Sequence, residues 1–293
     1  KWRKFEAELI RSVNNKEMLL AARNKLAITG GRVLDPGEGI DQISDVLISD
    51  GRIEEVTLKT GESKFDGYEV IDAIGMIVSP GFIDLHTHLR DPGQEWKETI
   101  TSGTRAAARG GFTTICAMPN TDPVQDSAGT VEDVIRRAAV DGVVRVLPIG
   151  AISVGQHGKQ LAPMGELADA GVIGFSDDGN AVEDGNLMRQ ALAYSAEVGL
   201  PVINHAEDKK ITDGGVMTAG VVATRLGLPG APNEAESAMV ARDLYLADLT
   251  KTQLHVPHIS TIGSIEVLRS AKERGVNVTA EVTPHHLTLS EEW

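Results

Sequence analysis

The rhythm of apolar and polar positions changes twice along this chain. Over residues 1–25, Trp2, Phe5, Leu9, Ile10, Val13 and Leu19 recur at helix-like spacing among Lys, Arg and Glu, which predicts an N-terminal extension, either an amphipathic helix or disordered. From 26 to 78, short β-rich runs alternate with turn pairs: Ala27-Ile28-Thr29 before Gly30-Gly31, Arg32-Val33-Leu34 before Pro36-Gly37, Val46-Leu47-Ile48 before Asp50-Gly51. That punctuation predicts a small all-β sandwich domain. From 79 to 293, apolar runs beginning near Phe82, Phe112, Val143, Val172, Pro201, Thr252 and Val276 alternate with Ala-rich helical patterns around 99–109, 131–140, 165–170, 187–198, 234–249 and 265–274. Repeated βα units with nearly continuous apolar strands predict an α/β fold whose sheet is buried on both faces. The reading is a TIM (β/α)8-type barrel with seven strands present. A doubly wound open sheet is the alternative, but it calls for a Gly-rich phosphate loop after its first strand, and His residues stand there instead.

Composition narrows the function. The 293 residues carry 28 Lys+Arg against 42 Asp+Glu, a net charge of -14, which argues against a nucleic-acid partner because phosphate-backbone binders concentrate cations. A single cysteine, Cys116, excludes an intrachain disulfide and any Cys-rich metal site and fits a reducing, cytoplasmic setting. No apolar run reaches the roughly 20 residues that cross a bilayer, so no membrane association is expected. The chain starts at Lys1 and stops at Trp293 just after a helix-start signal, Ser290-Glu291-Glu292, which reads as a fragment.

The candidate chemistry sits at strand ends. His86 and His88 lie two residues apart at the end of the first barrel strand, so both imidazoles face one way and can share a metal ion. In a barrel, the C-terminal ends of the strands build the active site. The fourth strand closes with Ser176-Asp177-Asp178, the fifth with Asn204-His205 and the sixth with Val256-Pro257-His258. Asp178, His205 and His258 complete a set of five imidazole and carboxylate donors that suits zinc, manganese and cobalt being open alternatives, with one carboxylate able to bridge two ions. Asp177 rivals Asp178 for the bridge, since sequence does not fix the register of a strand end. His255, an odd number of positions from His258, is expected to face the helices in a structural role. Of His285 and His286, read as the end of the seventh strand, at most one can reach the site, and His157 reads as a loop residue.

The series Gly81-Phe82-Ile83-Asp84-Leu85-His86-Thr87-His88-Leu89-Arg90-Asp91-Pro92-Gly93, Ala117-Met118-Pro119-Asn120-Thr121 and Phe175-Ser176-Asp177-Asp178-Gly179 resembles the bacterial class I dihydroorotases of the amidohydrolase superfamily. The resemblance runs from about residue 26 to 293. It implies zinc, two ions per chain, held by His86, His88, Asp178, His205 and His258. It also implies reversible cyclisation of N-carbamoyl-L-aspartate to L-dihydroorotate in pyrimidine synthesis, with a metal-bridged hydroxide attacking the ring amide in the hydrolytic direction. Arg90 and Asn120 would bind the substrate, Arg90 gripping its carboxylate with a bidentate fork. The general acid/base of the resemblance is an Asp on an eighth strand beyond Trp293, so no catalytic acid/base is expected within this chain. Allantoinases and hydantoinases, the nearest alternatives, carry a carboxylated Lys where this chain has Asp178. A non-catalytic partner of aspartate transcarbamoylase is a further alternative, though such chains are expected to lose ligands. A second copy of the chain and aspartate transcarbamoylase are the protein partners this resemblance admits.

Overall fold

The computed structural model describes residues 25–58 and 65–292, so residues 1–24 of the expected N-terminal extension lie outside the described residues. Its contacts divide the chain into two units, 1–82 and 83–293. In the first unit, β1 (Lys25–Asp35), β2 (Ile40–Ser49), β3 (Arg52–Leu58), β4 (Tyr68–Asp72) and β5 (Ile77–Val78) form one sheet. β1 pairs antiparallel with β2 and parallel with β4 and β5. Where a sandwich is expected, the described strands make this single mixed sheet. Asp50 and Gly51, at φ 51° and 71°, form the tight β2–β3 connection that the Asp-Gly pair signals.

The second unit follows a strand–helix alternation. It comprises β6 (Phe82–Thr87), α1 (Ile100–Arg109), β7 (Phe112–Ala117), α2 (Ala128–Asp141), β8 (Arg145–Pro148), α3 (Met164–Ala170), β9 (Phe175–Ser176), α4 (Gly185–Val198) and β10 (Val202–Ile203). After β10 comes an excursion that the apolar pattern does not announce: α5 (Lys209–Thr212), β11 (Met217–Thr218), α6 (Val221–Leu226) and β12 (Gly230–Ala231). The alternation then resumes with α7 (Glu234–Thr250), β13 (Leu254–Val256), α8 (Ile262–Glu273), β14 (Val278–Ala280) and the short α9 (Pro284–Thr288).

Strand order is β6-β7-β8 in one sheet and β9-β10-β13-β14 in the next, and a parallel bridge from Gly150 to Phe175 joins them. β7–β8 and each pair from β9 to β14 are parallel, as βα connections require. All seven strand regions expected from the apolar runs are present, although β9 and β10 contribute only two paired residues each. Their side chains are buried throughout, as are those of β13, because helices cover them. Phe175, Met188, Leu192, Val202, Leu244 and Leu254 are the centre of that core. β6 departs from the expectation: Ile83 and Leu85 are 59% and 46% exposed. It is an edge strand among the described residues, with β7 as its neighbour.

The helices start where polar caps stand before apolar repeats. Thr99 and Ser102 form a capping box on α1, and Ser127, Asp184 and Thr261 cap α2, α4 and α8. Thr283 caps α9, with Pro284 at its first turn. The seventh strand therefore ends at Ala280, and His285 and His286 are exposed helical residues instead of the strand-end pair expected.

Candidate metal centre

Imidazoles from three strand ends converge on Asp178 at the end of a fourth. The Nε2 atoms of His86 and His88 lie 3.4 Å from its Oδ1 and Oδ2, and His205 Nδ1 and His258 Nε2 lie 3.6 and 3.5 Å from Oδ1. They form two groups sharing one carboxylate: His86, His88 and Asp178, and Asp178, His205 and His258. Within each group two imidazole nitrogens face each other, at 3.3 Å for His86–His88 and 3.0 Å for His205–His258. Two ligands of a tetrahedral ion with zinc–nitrogen bonds of about 2.0–2.1 Å stand roughly 3.3 Å apart. Asp178 Oδ1 is buried without a hydrogen-bond partner, an arrangement that is costly unless a cation completes it. The donor set and spacing therefore fit a divalent metal in each group.

Local chain geometry delivers these atoms. His86 and His88 share a face at the mouth of β6, and the Ser176 hydroxyl accepts from the Asp178 amide in the turn after β9. Asn204, before His205, is fixed by donating to Asp243 at 2.6 Å and accepting from the Val182 amide. Arg90 and His258 have positive φ, 59° and 37°, conformations that non-glycine residues hold only where surrounding contacts impose them. Around His258, Glu236 of α7 accepts from the amides and hydroxyls of Ser260 and Thr261 and from the Ser264 hydroxyl.

Outer partners set the orientation of three imidazoles. His86 Nδ1 lies 2.9 Å from Glu281 Oε1, His88 Nδ1 lies 3.0 Å from Asn120 Oδ1, and His205 Nε2 lies 3.3 Å from Glu207 Oε2. Such partners choose the tautomer and leave the opposite nitrogen for a metal. Burial opposes the charge of Asp178, but the His205, His258 and His86 imidazoles outweigh it and hold the carboxyl far below its usual range. Burial likewise works against protonated His86, yet Asp178 and Glu281 raise it to about 9. Burial opposes ionisation of Glu281 as well, and His255 and His86 nevertheless bring it down to about 2. Burial lowers His88, which has only the neutral Asn120 beyond it.

Of the sequence-predicted set, His86, His88, Asp178, His205 and His258 come together. Asp177 points elsewhere: its Oδ1 accepts from the Ile152 and Ser153 amides at 2.8 and 3.0 Å and its Oδ2 from the Ser153 hydroxyl. Arg90 makes no hydrogen bond or ion pair with any described residue's side chain within contact distance. Asn120 has both ends of its amide engaged, Oδ1 with His88 and Nδ2 donating to the Asp178 carbonyl at 3.3 Å. His255 does not turn to the helices: its Nδ1 lies 2.8 Å from Thr279 Oγ1 on the adjacent β14 and its Nε2 3.4 Å from Oε2 of Glu281 just past that strand. The strand ends at Val256 and the chain turns through Pro257 to a positive φ at His258, so alternation does not carry from one His to the other. His157 is exposed in its loop. Glu281, Glu207 and Glu236 were not singled out by the motifs; a carboxylate just past a strand end, as Glu281 is, is the signal that points to it.

Beside His205 and His258 opens a cleft of about 460 Å³ lined also by Asn233, Ser260, Thr283 and His286. Among solved structures, an L-hydantoinase (dihydropyrimidinase) from Arthrobacter aurescens matches at TM-score 0.77 with 21% identity, covering 92% of this chain and 60% of that one. A D-hydantoinase matches at TM-score 0.73 with 25% identity over 92% of this chain and 59% of that one. The fold is thus that of the hydantoinases. In sequence, residues 75–264 match the dihydro-orotase-like family, and this chain belongs to it. Curated dihydroorotases of Geobacter metallireducens and Pelotomaculum thermopropionicum are 49% and 51% identical over 91% and 92% of this chain, which spans 62% of the length of each.

Proposed function

We propose that this chain is part of a zinc-dependent dihydroorotase that reversibly cyclises N-carbamoyl-L-aspartate to L-dihydroorotate, on a TIM barrel to which it contributes seven strands. The observation that carries the reading is Asp178, the one carboxylate shared by both donor groups. The resemblance implies a carboxylated Lys at the corresponding place in hydantoinases and allantoinases, whereas the end of β9 here reads Ser176-Asp177-Asp178. The approximately 50% identity to named dihydroorotases supports the same choice over the hydantoinases, whose likeness is one of fold.

His86, His88 and Asp178 would hold one ion, and Asp178, His205 and His258 the other. When bound, such a pair polarises an amide carbonyl and lowers the pKa of water towards neutrality. The chain's own residues do the rest. Asp178 would offset part of the charge of two cations, and the outer acceptors keep the imidazoles aimed. Arg90, placed two residues past His88, grips the substrate carboxylate with its planar fork. Asn120 uses one amide hydrogen on the Asp178 carbonyl and keeps a second for the substrate. The buried Cys116, its thiol pushed up to about 12 chiefly by burial, suits a reducing cytoplasm. A second copy of the chain or aspartate transcarbamoylase would be its protein partner.

The full-length protein carrying this sequence tests the proposal against dihydroorotate, allantoin and dihydrouracil. Dihydroorotate should be preferred by roughly a hundredfold or more in kcat/KM, because unpaired polar groups in a site built for another ring penalise the wrong substrate. A preference for dihydrouracil or allantoin would reassign the chain to the other cyclic amide hydrolases.

A further inference from the structure

The geometry points to Glu281 as the positioning residue that fixes which nitrogen His86 offers to a metal. This inference rests on the proposed metal centre and concerns a residue outside both donor groups. Glu281 follows β14, and its backbone is pinned on both sides: its amide donates to the Val256 carbonyl at 3.1 Å and its carbonyl accepts from the Ile259 amide at 2.9 Å. That fixes the start of its side chain against the segment carrying His258. Its carboxylate then spans two imidazoles, with Oε1 2.9 Å from His86 Nδ1 and Oε2 3.4 Å from His255 Nε2.

His255 is held in turn. It is buried, and its Nδ1 meets Thr279 Oγ1 at 2.8 Å across the paired β13 and β14 strands. Its buried Nε2 has no hydrogen-bond partner, so the Glu281 carboxylate is the polar group that faces it. Since a carboxylate only accepts, the 2.9 Å contact holds a proton on His86 Nδ1, and Nε2, which faces Asp178 at 3.4 Å and His88 at 3.3 Å, is the nitrogen left to a metal that displaces its proton. His88 receives the same service from a neutral amide, Asn120. The two imidazoles of one donor group are therefore inequivalent, and His86, with an anion behind it, is the stronger donor.

The test uses Glu281→Ala and Glu281→Gln in the full-length protein, with zinc affinity measured at each site by chelator competition. A Gln oxygen can still accept from Nδ1–H, whereas Ala cannot. Glu281→Ala should weaken the ion held by His86, His88 and Asp178 by about 10- to 100-fold and leave the ion at His205 and His258 within a few-fold, and Glu281→Gln should recover most of the loss. Equal loss at both sites in both variants, or no loss in either, would overturn the inference. If the wild-type protein takes up no zinc, the metal reading fails by itself, and Glu281 is then judged by imidazole nitrogen NMR at pH 10. Nδ1–H on His86 in wild type and Glu281→Gln but not in Glu281→Ala supports the inference, and Nε2–H in wild type overturns it.

Discussion

Asp177 and Asp178 are adjacent, buried and committed to different tasks. Asp178 faces four imidazoles, while Asp177 receives two amides and a hydroxyl from residues 152–153. Burial raises Asp177 to about 6 in spite of those donors. If the proposed zinc centre is right, Asp178→Asn should lose both ions, and Asp177→Asn should keep them while costing about 1–3 kcal/mol of stability, the range for a buried polar group left badly paired. Metal analysis beside urea denaturation separates the two, and zinc loss confined to Asp177→Asn would reverse the assignment. Arg90 makes a different prediction. Arg90→Lys keeps the charge but not the planar fork, so kcat/KM for dihydroorotate should fall roughly a hundredfold, about 2.7 kcal/mol, with zinc content unchanged. Near wild-type kcat/KM would remove Arg90 from the site. At this scale the donors themselves were legible, because His-x-His and single polar residues closing apolar runs are local patterns. The choice between Asp177 and Asp178 was not, since where β9 stops decides which neighbour turns to the site, and that is a tertiary property.

Elements account for how loop residues reach metal-ligand spacing. His258 follows β13 on a segment with no regular hydrogen bonding of its own, and Glu236 supplies the fastening from α7. Burial opposes ionisation of Glu236, but Ser260, Ser264 and Thr261 outweigh it and keep the carboxylate charged at the start of α8. Glu236→Ala leaves those amides and hydroxyls unanswered, and we expect a loss of about 1–3 kcal/mol in urea denaturation together with weaker zinc binding at the His205–His258 group. Unchanged zinc affinity there would mean that the loop holds its shape without Glu236. The strands were readable because buried parallel strands are continuous apolar runs bounded by turns. The ends were less so: Thr283-Pro284 reads as a helix start once β14 is known to stop at Ala280, yet from the pattern alone the run extends to His286. Glu281 and His86 are 195 positions apart, a separation that no periodicity spans.

On the scale of the whole molecule, the donors come from the end of β6 and from segments following β6, β9, β10 and β13, so a bound ion would link strands that are distant in sequence. A ligand that binds the folded chain alone stabilises it by mass action, about 2.7 kcal/mol for each site at a free concentration a hundred times Kd. Protons compete for the same atoms. In the zinc-free chain His86 is raised from 6.5 to about 9, so the stability it contributes is fully present below pH 6.5 and is lost as pH rises through 9. Glu281, lowered from 4.5 to about 2, contributes stability above pH 4.5 that is lost as pH falls through 2, so between pH 6.5 and 9 His86 governs the trend of this pair. Zinc bound at the proposed centre would have to displace the His86 proton, and its affinity would accordingly rise with pH across that window. Zinc should therefore raise Tm by a small increment at pH 6.5 and by a growing one at pH 7.5 and 8.5, measured at fixed free zinc. In His86→Ala the increment should be smaller and its pH dependence flatter, because the imidazole that Glu281 and Asp178 raise to about 9 is gone, and the pH dependence left is that of His205, which burial lowers but Asp178 and Glu207 raise. An increment that stays constant with pH in the wild type, or that is the same in His86→Ala, would show that zinc stabilises the fold from somewhere other than these strand ends.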